Sequence, residues 1–512
     1  MTIPSVEEEQ GILNKTQRAA ERGEVWGQFN LGLAYYYGRG VAEDFATAVH
    51  WFGLAAARED ADAQFYLAFM NAYGQGVARN YAEAVKWFRH AAEQGHTEAQ
   101  YHLAYLYLHG LGAAKDEVDA LKWFRRSAEQ GFAEAQYQLA LLYQAGLGTT
   151  RDRNEASRWL QQAAQRGHTE AAYRLGEMFL SGQGVSRNAG EALAWFRQAG
   201  TAGHTQAQLQ LGLMYVAGQG TVSNATEAAN WFTRASERGN AEASYRLGMM
   251  YLNGNGVEED PRLALHWLQA ATLSGHAGAQ YELGALYAAG HKVTKNEQEA
   301  VKWFGLAAEQ ALPSAQYELG VRLLEGQGVN ADPIAAVRWL HQAASQGITD
   351  AQYQMGRLYH HGRGVVQDLR EAQEWYQKAA SADHVESQYV LGLLLAGSGG
   401  GTVADPTQAM SWLYKAATAG HVHAQYELAM LLLNNATAAP DDNEAVRLLR
   451  CAADHDHAAA RYRLGLMYLT GRGVIQNNLE CRRWMERSAE CGDQRAREFL
   501  RLVQSEGWFG PG

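Results

Sequence analysis

The chain has 512 residues, 47% of them hydrophobic and 19% charged, with 54 Gly, 7 Pro, 3 Cys and a formal charge of −11. Those figures exclude collagen, a disulfide-stapled secreted scaffold and a disordered acidic tail. With 44 Lys and Arg against 55 Asp and Glu, there is no clustered basic excess for general nucleic-acid binding.

The start, Met1-Thr2-Ile3-Pro4-Ser5-Val6-Glu7-Glu8-Glu9, has neither a basic n-region nor an apolar h-region, and no run of about 18 apolar residues occurs anywhere. No membrane insertion is expected, and the chain as written reads as cytoplasmic, or as periplasmic or secreted if a leader was removed. Residues 5–22, opened by Ser5 with Glu8 three later and closing on Ala19-Ala20-Glu21-Arg22-Gly23, read as a lone helix, and 1–23 as an amino-terminal capping segment.

A period of 36 residues then takes over. Trp51, Trp87, Trp123, Trp159, Trp195, Trp231, Trp267, Trp303, Trp339 and Trp375 keep that spacing; Trp412 follows at 37, Leu448 takes the next slot, and Trp484 closes the series. The units are 24–59, 60–95, 96–131, 132–167, 168–203, 204–239, 240–275, 276–311, 312–347, 348–383, 384–420, 421–456 and 457–492, thirteen in all.

Each unit carries two helical patterns. The first places Ala99, Leu103 and Tyr107 on one face, and the second does the same for Ala84, Trp87, Phe88 and Ala91. Seven residues before each tryptophan slot stands Asp or Asn, from Asp44 and Asn80 to Asn477, a short acceptor suited to cap the second helix. Glu83, Glu155, Glu191 and their counterparts, three residues on, suggest the second half of a capping box. Pro261, Pro333 and Pro406 follow their Asp at the first helical position, where a missing N–H costs nothing.

Glycines such as Gly95 and Gly131 close the second helices, and eleven units place Gly-x-Gly between their helices. Gly290-His291-Lys292 and Asn435-Ala436-Thr437 are the degenerate cases, and one unit carries an extra residue within Gly397-Ser398-Gly399-Gly400-Gly401-Thr402. Residues 493–512 read as a carboxy-terminal capping helix (493–505) followed by the tail Gly507-Trp508-Phe509-Gly510-Pro511-Gly512.

The composite pattern Ala-x-x-x-Leu-Gly-x-x-Tyr-x-x-Gly-x-Gly-Val, then Asp/Asn-x-x-x-Ala-x-x-Trp-Phe-x-x-Ala-Ala-x-x-Gly, resembles the Sel-one-like repeat (SLR) family, relatives of tetratricopeptide repeats. One unit states it through Leu211, Gly212, Tyr215, Gly218, Gly220, Asn224, Ala228, Trp231, Phe232, Ala235 and Gly239. The resemblance implies an all-α, right-handed α/α superhelix (solenoid) of about thirteen 36-residue helix-hairpin repeats. It also implies a non-enzymatic scaffold or adaptor, often bacterial, that binds a protein or peptide in its concave groove. A hydrolase or β-lactam-binding protein is the main alternative, but the cysteine pairs of the relatives linked to β-lactam binding are missing. A carbohydrate or cell-wall binding module is the other alternative.

Residues that could carry chemistry have bland explanations. No Lys-Ser/Thr follows any Gly-x-Gly loop, so turn geometry accounts for those glycines. His96, His168, His204, His276, His384, His421 and His457 recur nine residues after the tryptophan slot, but helices stacked about 8 to 10 Å apart separate them too widely to share a metal ion. The densest ligand cluster is His421, His423, Cys451, Asp454, His455, Asp456 and His457. Cys451, Cys481 and Cys491 read as thiols, with Cys481 in an alanine slot. No catalytic residue, cofactor or metal site is assigned.

Function is then sought where the units differ. Slots one before, two after and six after the first-helix leucine share a side away from the core stripe. Early units fill them and their neighbours with Tyr36, Tyr37, Tyr66, Phe69, Tyr73, His102, Tyr105 and His109, aromatic anchors of low rotamer cost. Later units place Arg174, Glu177, Arg246, Glu282, Glu318, Arg322 and Arg357 on or beside that side. The expected partner surface is one groove with an aromatic end.

Overall fold

A computed structural model describes residues 6–290, 292–397, 404–434 and 441–506. The expectations placed on Ser5, His291, 398–402, 435–437 and the Trp508-Phe509 tail lie outside the described residues. Among the described residues there are 28 α-helices, numbered α1 to α28 in chain order, and no strand. The fold is an all-α solenoid. After α1 (Val6–Glu21), even-numbered helices such as α2 (Val25–Tyr37), α4 (Ala61–Tyr73) and α6 (Thr97–His109) carry the first pattern. Odd-numbered helices such as α5 (Tyr81–Glu93) and α7 (Glu117–Glu129) carry the second. The chain divides into two compact units, residues 1–270 and 271–512, and each is a stack of such hairpins.

The hairpin is fixed by its caps. Asp116 Oδ1 accepts from the Val118 and Asp119 N–H groups at 3.0 and 2.9 Å, while its own N–H donates to the Tyr107 carbonyl at 3.0 Å. One residue thereby closes α6 and opens α7. The expected capping box does not form, because the N–H that its glutamate would accept from is already spent on the first helix. The glutamates turn outward instead, Glu83 to Lys86 at 2.6 Å and Glu155 to Arg158 at 2.5 Å. The Gly-x-Gly loop leans on the preceding repeat: Gly112 has φ 72°, and a Cβ there would lie 2.2 Å from the Tyr81 main chain. Only glycine fits that approach.

The deepest layer is phenylalanine rather than tryptophan. Phe52, Phe88, Phe124, Phe196, Phe232 and Phe304 are fully buried, whereas most of the periodic tryptophans are half-buried at the edge of the core. Each ring needs a small residue opposite it. A Cβ on Gly212 would sit 2.3 Å from Phe232 Cε1, which explains the Gly or Ala that follows the first-helix leucine. A glutamine row joins repeats: Gln100 Nε2 donates to the Ala92 carbonyl at 3.1 Å, and Gln130 Nε2 donates to Gln100 Oε1 at 2.8 Å. The buried Gln100 amide adds a second donor to a helix-end carbonyl that also accepts from the Gly95 N–H at 3.1 Å.

Candidate functional site

The recurrent histidines are helix caps. His168 and His204 each accept at Nδ1 from the N–H three residues later, at 3.1 Å, so that nitrogen carries no proton and Nε2 does. Nε2 then donates across the repeat boundary, from His168 to Glu134 and from His204 to Glu170, both at 3.0 Å. Each ring also stacks on the tyrosine of the preceding repeat, Tyr137 with His168 at 4.5 Å and Tyr173 with His204 at 4.4 Å. Both nitrogens are committed to capping and bridging. Asp60 and Asn240 perform the capping half in their own repeats.

In the carboxy-terminal cluster, His421 repeats this arrangement with Glu386, and His457 Nε2 meets His423 Nδ1 at 3.2 Å. Among the described residues no three His, Cys, Asp or Glu side chains converge in a way that could hold a metal ion. The three cysteines are free thiols. Cys481 is buried in its alanine slot, and burial pushes its thiol up to about 11, away from thiolate chemistry.

The aromatic residues separate into a packed set and an exposed set. Tyr66 stacks on Phe52 at 5.1 Å and meets Tyr36 edge-on at 5.5 Å, and its hydroxyl lies 3.1 Å from that of Tyr37. Burial first, then the Tyr37 hydrogen bond, holds the Tyr66 phenol above its usual range. His102 stacks on Phe88 at 5.3 Å and touches Phe69 at 5.8 Å; burial brings its pKa down to about 4, so it is neutral near pH 7.

Tyr36, Tyr66, Phe69 and His102 therefore brace neighbouring first-type helices. Against that brace Tyr37, Tyr73 and Tyr105 remain 48%, 59% and 41% exposed. Phe69 supports Tyr73 at 4.4 Å, and the exposed His109 lies 4.3 Å from Tyr105.

The arginines are less free. Arg174 donates to Glu170 at 2.9 Å and lies 5.7 Å from the Tyr137 ring, and Arg246 donates to Glu242 at 2.5 Å. Arg174 borders an open cavity of about 440 Å³ with Gln144, Glu177, Gln183 and Gln210 on its polar side and Met178, Leu180 and Phe196 on its apolar side.

A further recess, not foreseen from the sequence, lies between α1 and α2. It encloses about 800 Å³ and is walled by Ile12, Leu13, Trp26, Leu33 and Arg39 among others. Trp26 stands outside the 36-residue tryptophan series, which was the available signal.

The Sel1 repeat family matches thirteen segments, 27–60, 61–96, 97–132, 133–168, 169–204, 205–240, 241–276, 277–312, 313–348, 349–384, 385–421, 422–457 and 458–493. The chain is similar over 96% of its length to 97% of a protective antigen of uropathogenic Escherichia coli with an SLR fold, at 29% identity and a TM-score of 0.72. A Sel1 repeat protein from Oxalobacter formigenes is 32% identical over 64% of this chain and 93% of its own, with a TM-score of 0.53. No curated protein matches the chain. No helix among the described residues is long and apolar enough to cross a membrane.

Proposed function

The chain belongs to the Sel1 repeat family, and from that premise we propose that it is a non-enzymatic scaffold whose amino-terminal unit binds a protein or peptide along its first-type helices. Proteins of this family are generally protein-interaction scaffolds. The observation that carries the reading is the exposure of Tyr37, Tyr73 and Tyr105 on successive first-type helices, above a packed row of aromatic residues. Each phenol offers apolar area and a polar tip, and the row beneath holds it in place before binding, which lowers the entropy lost on association. Arg39 lies 4.8 Å from the Tyr37 ring and adds a cation at the edge of the row. The cavity beside Arg174 sets the amides of Gln144, Gln183 and Gln210 beside Met178, Leu180 and Phe196, which suits an extended main chain with its side chains, since N–H and C=O groups need partners along their length.

The test is quantitative affinity capture with the full chain, its Tyr37→Ser/Tyr73→Ser/Tyr105→Ser variant, and a Val118→Ser/Leu273→Ser control drawn from exposed apolar residues of second-type helices. Binders lost by the triple variant and retained by the control support the reading. Equal capture by all three contradicts it.

A further inference from the structure

We propose that the recess between α1 and α2 is a docking site for an amphipathic helix of another protein, seated where a first-type helix would lie. The argument starts from the residue between the two loop glycines. In two later repeats that residue is also arginine, and it reaches back 39 positions to the end of the preceding first-type helix. Arg363 donates to the Leu324 carbonyl of α18 (Pro313–Glu325), and Arg472 to the Leu433 carbonyl of α24 (Val422–Asn434) at 3.0 Å. Both carbonyls belong to a helix carboxy-terminal turn, which lacks intrahelical donors and carries the negative end of the dipole. Arg39 holds the same slot between Gly38 and Gly40. Among the described residues it has neither a carbonyl nor a carboxylate partner, only the Tyr37 ring.

The walls agree. In the regular stack a first-type helix rests on the second-type helix of its own hairpin and on the next first-type helix. The recess presents those two surfaces: Ile12, Leu13 and Thr16 from α1, and Trp26, Asn30 and Leu33 from α2. Asn30 occupies the slot of Tyr66 and His102. There Tyr66 is covered by Phe29 at 6.0 Å and Tyr36 at 5.5 Å, and His102 by Phe65 at 5.9 Å and Phe69 at 5.8 Å. Asn30 is exposed, Ile12 is 63% exposed and Trp26 46%.

A helix with bulky side chains at i, i+4 and i+7 would cover these groups as Phe29, Phe65, Phe69 and Tyr36 cover theirs. Its last turn would then bring carbonyls to Arg39. A second copy of the chain does not suit the site. The unpaired first-type helix α28 (Gln494–Glu506) carries Arg501 where the repeats bury Gly or Ala, and it exposes Arg497 and Glu498 as well. This inference goes beyond the tyrosine row and does not depend on it.

The probe is a fluorescein-labelled peptide of residues 61–74, acetylated and amidated, added to the full chain and followed by anisotropy. It is a first-type helix whose amidated end offers carbonyls but no carboxylate. Saturable binding is expected, weakened roughly tenfold or more by Arg39→Glu and by Ile12→Glu, and abolished when Phe65 and Phe69 of the peptide become Ser. Arg39 is an exposed loop residue, so its variant should melt as the parent does and keeps the test valid if Ile12→Glu disturbs α1. Tyr73→Ser and Tyr105→Ser should leave peptide binding unchanged; loss with these two would place the peptide on the tyrosine row and overturn the proposal. Absence of saturation, or equal affinity in Arg39→Glu and the parent, overturns it too. Concentration-dependent self-association abolished by Arg39→Glu would make a second copy the occupant, which also contradicts it.

Discussion

The two units use one repeat but pack it differently. In the first, one large buried cluster runs from Ala68 to Met250, preceded by two smaller ones, Leu13 to Ala34 and Ala48 to Met70. In the second, the buried residues fall into separate clusters, one from Ala300 to Leu319, the next from Leu324 to Trp375, and others beyond. The boundary between Leu319 and Leu324 coincides with a buried charge. Met70, Leu106, Leu142, Met178, Met214 and Met250 share a first-helix slot, and Arg322 stands in it in the second unit.

Arg322 is only 9% exposed, its guanidinium 4.5 Å from the Phe304 ring, bonded to Glu318 and 3.7 Å from Glu297. A buried charge of this kind is tolerated because carboxylates come with it. The second unit also forces non-glycine residues into left-handed turns at Ala311, Asp383 and Asp456, where the first mostly uses glycine. A repeat can therefore keep its hairpin geometry while losing the continuity of its spine.

Exchanging the two solutions is the largest expected perturbation. Met214→Arg carries the charge into the unbroken cluster, where Ala189 and Gln210 stand in place of the two glutamates, and should cost about 3 kcal/mol or more. The reciprocal Arg322→Met, made together with Glu297→Ala and Glu318→Gln so that no carboxylate is left without its partner, should leave stability unchanged or raise it by up to about 4 kcal/mol. Urea unfolding monitored by circular dichroism checks both. Equal losses would remove the distinction between the units.

An acid-sensitive step belongs to the first unit. His102 has its folded pKa lowered by burial to about 4, so it binds a proton more readily unfolded than folded. Stability should be full above about pH 6.5 and fall as pH drops toward 4, by about 2 kcal/mol at pH 5 from this group alone. Replacing His102 by Phe should flatten that part of the profile in pH-dependent thermal melts.

The smallest effect tests the imidazole caps. His204→Ala should cost about 1 kcal/mol, whereas His204→Asn should cost less, because Asn240 caps its helix from the same slot at 2.9 Å. Hydrogen exchange of the Ala207 amide reads this directly.

Much of the fold was legible because the Asp/Asn caps recur in every unit and the tryptophan in all but the one that carries Leu448. The caps made by histidine were not, since imidazole is not a usual N-cap; Asp60 and Asn240 in the same slot were the overlooked signal. The tyrosine row was legible as a set of residues but not as a surface. Tyr37 and Tyr66 lie 29 residues apart and meet only once repeats stack, so sequence spacing does not show which phenol is buried and which stays out. The recess beside Trp26 arises from a helix packed on one side only, which no periodicity reveals.

Site-directed photocrosslinking tests the proposed binding surface most directly. With p-benzoylphenylalanine at position 73, and at 118 as the control, the expected result is that captured partners crosslink at 73 and not at 118. Equal crosslinking at both positions, or none at 73 from a chain that still captures those partners, would contradict the assignment of binding to the tyrosine row.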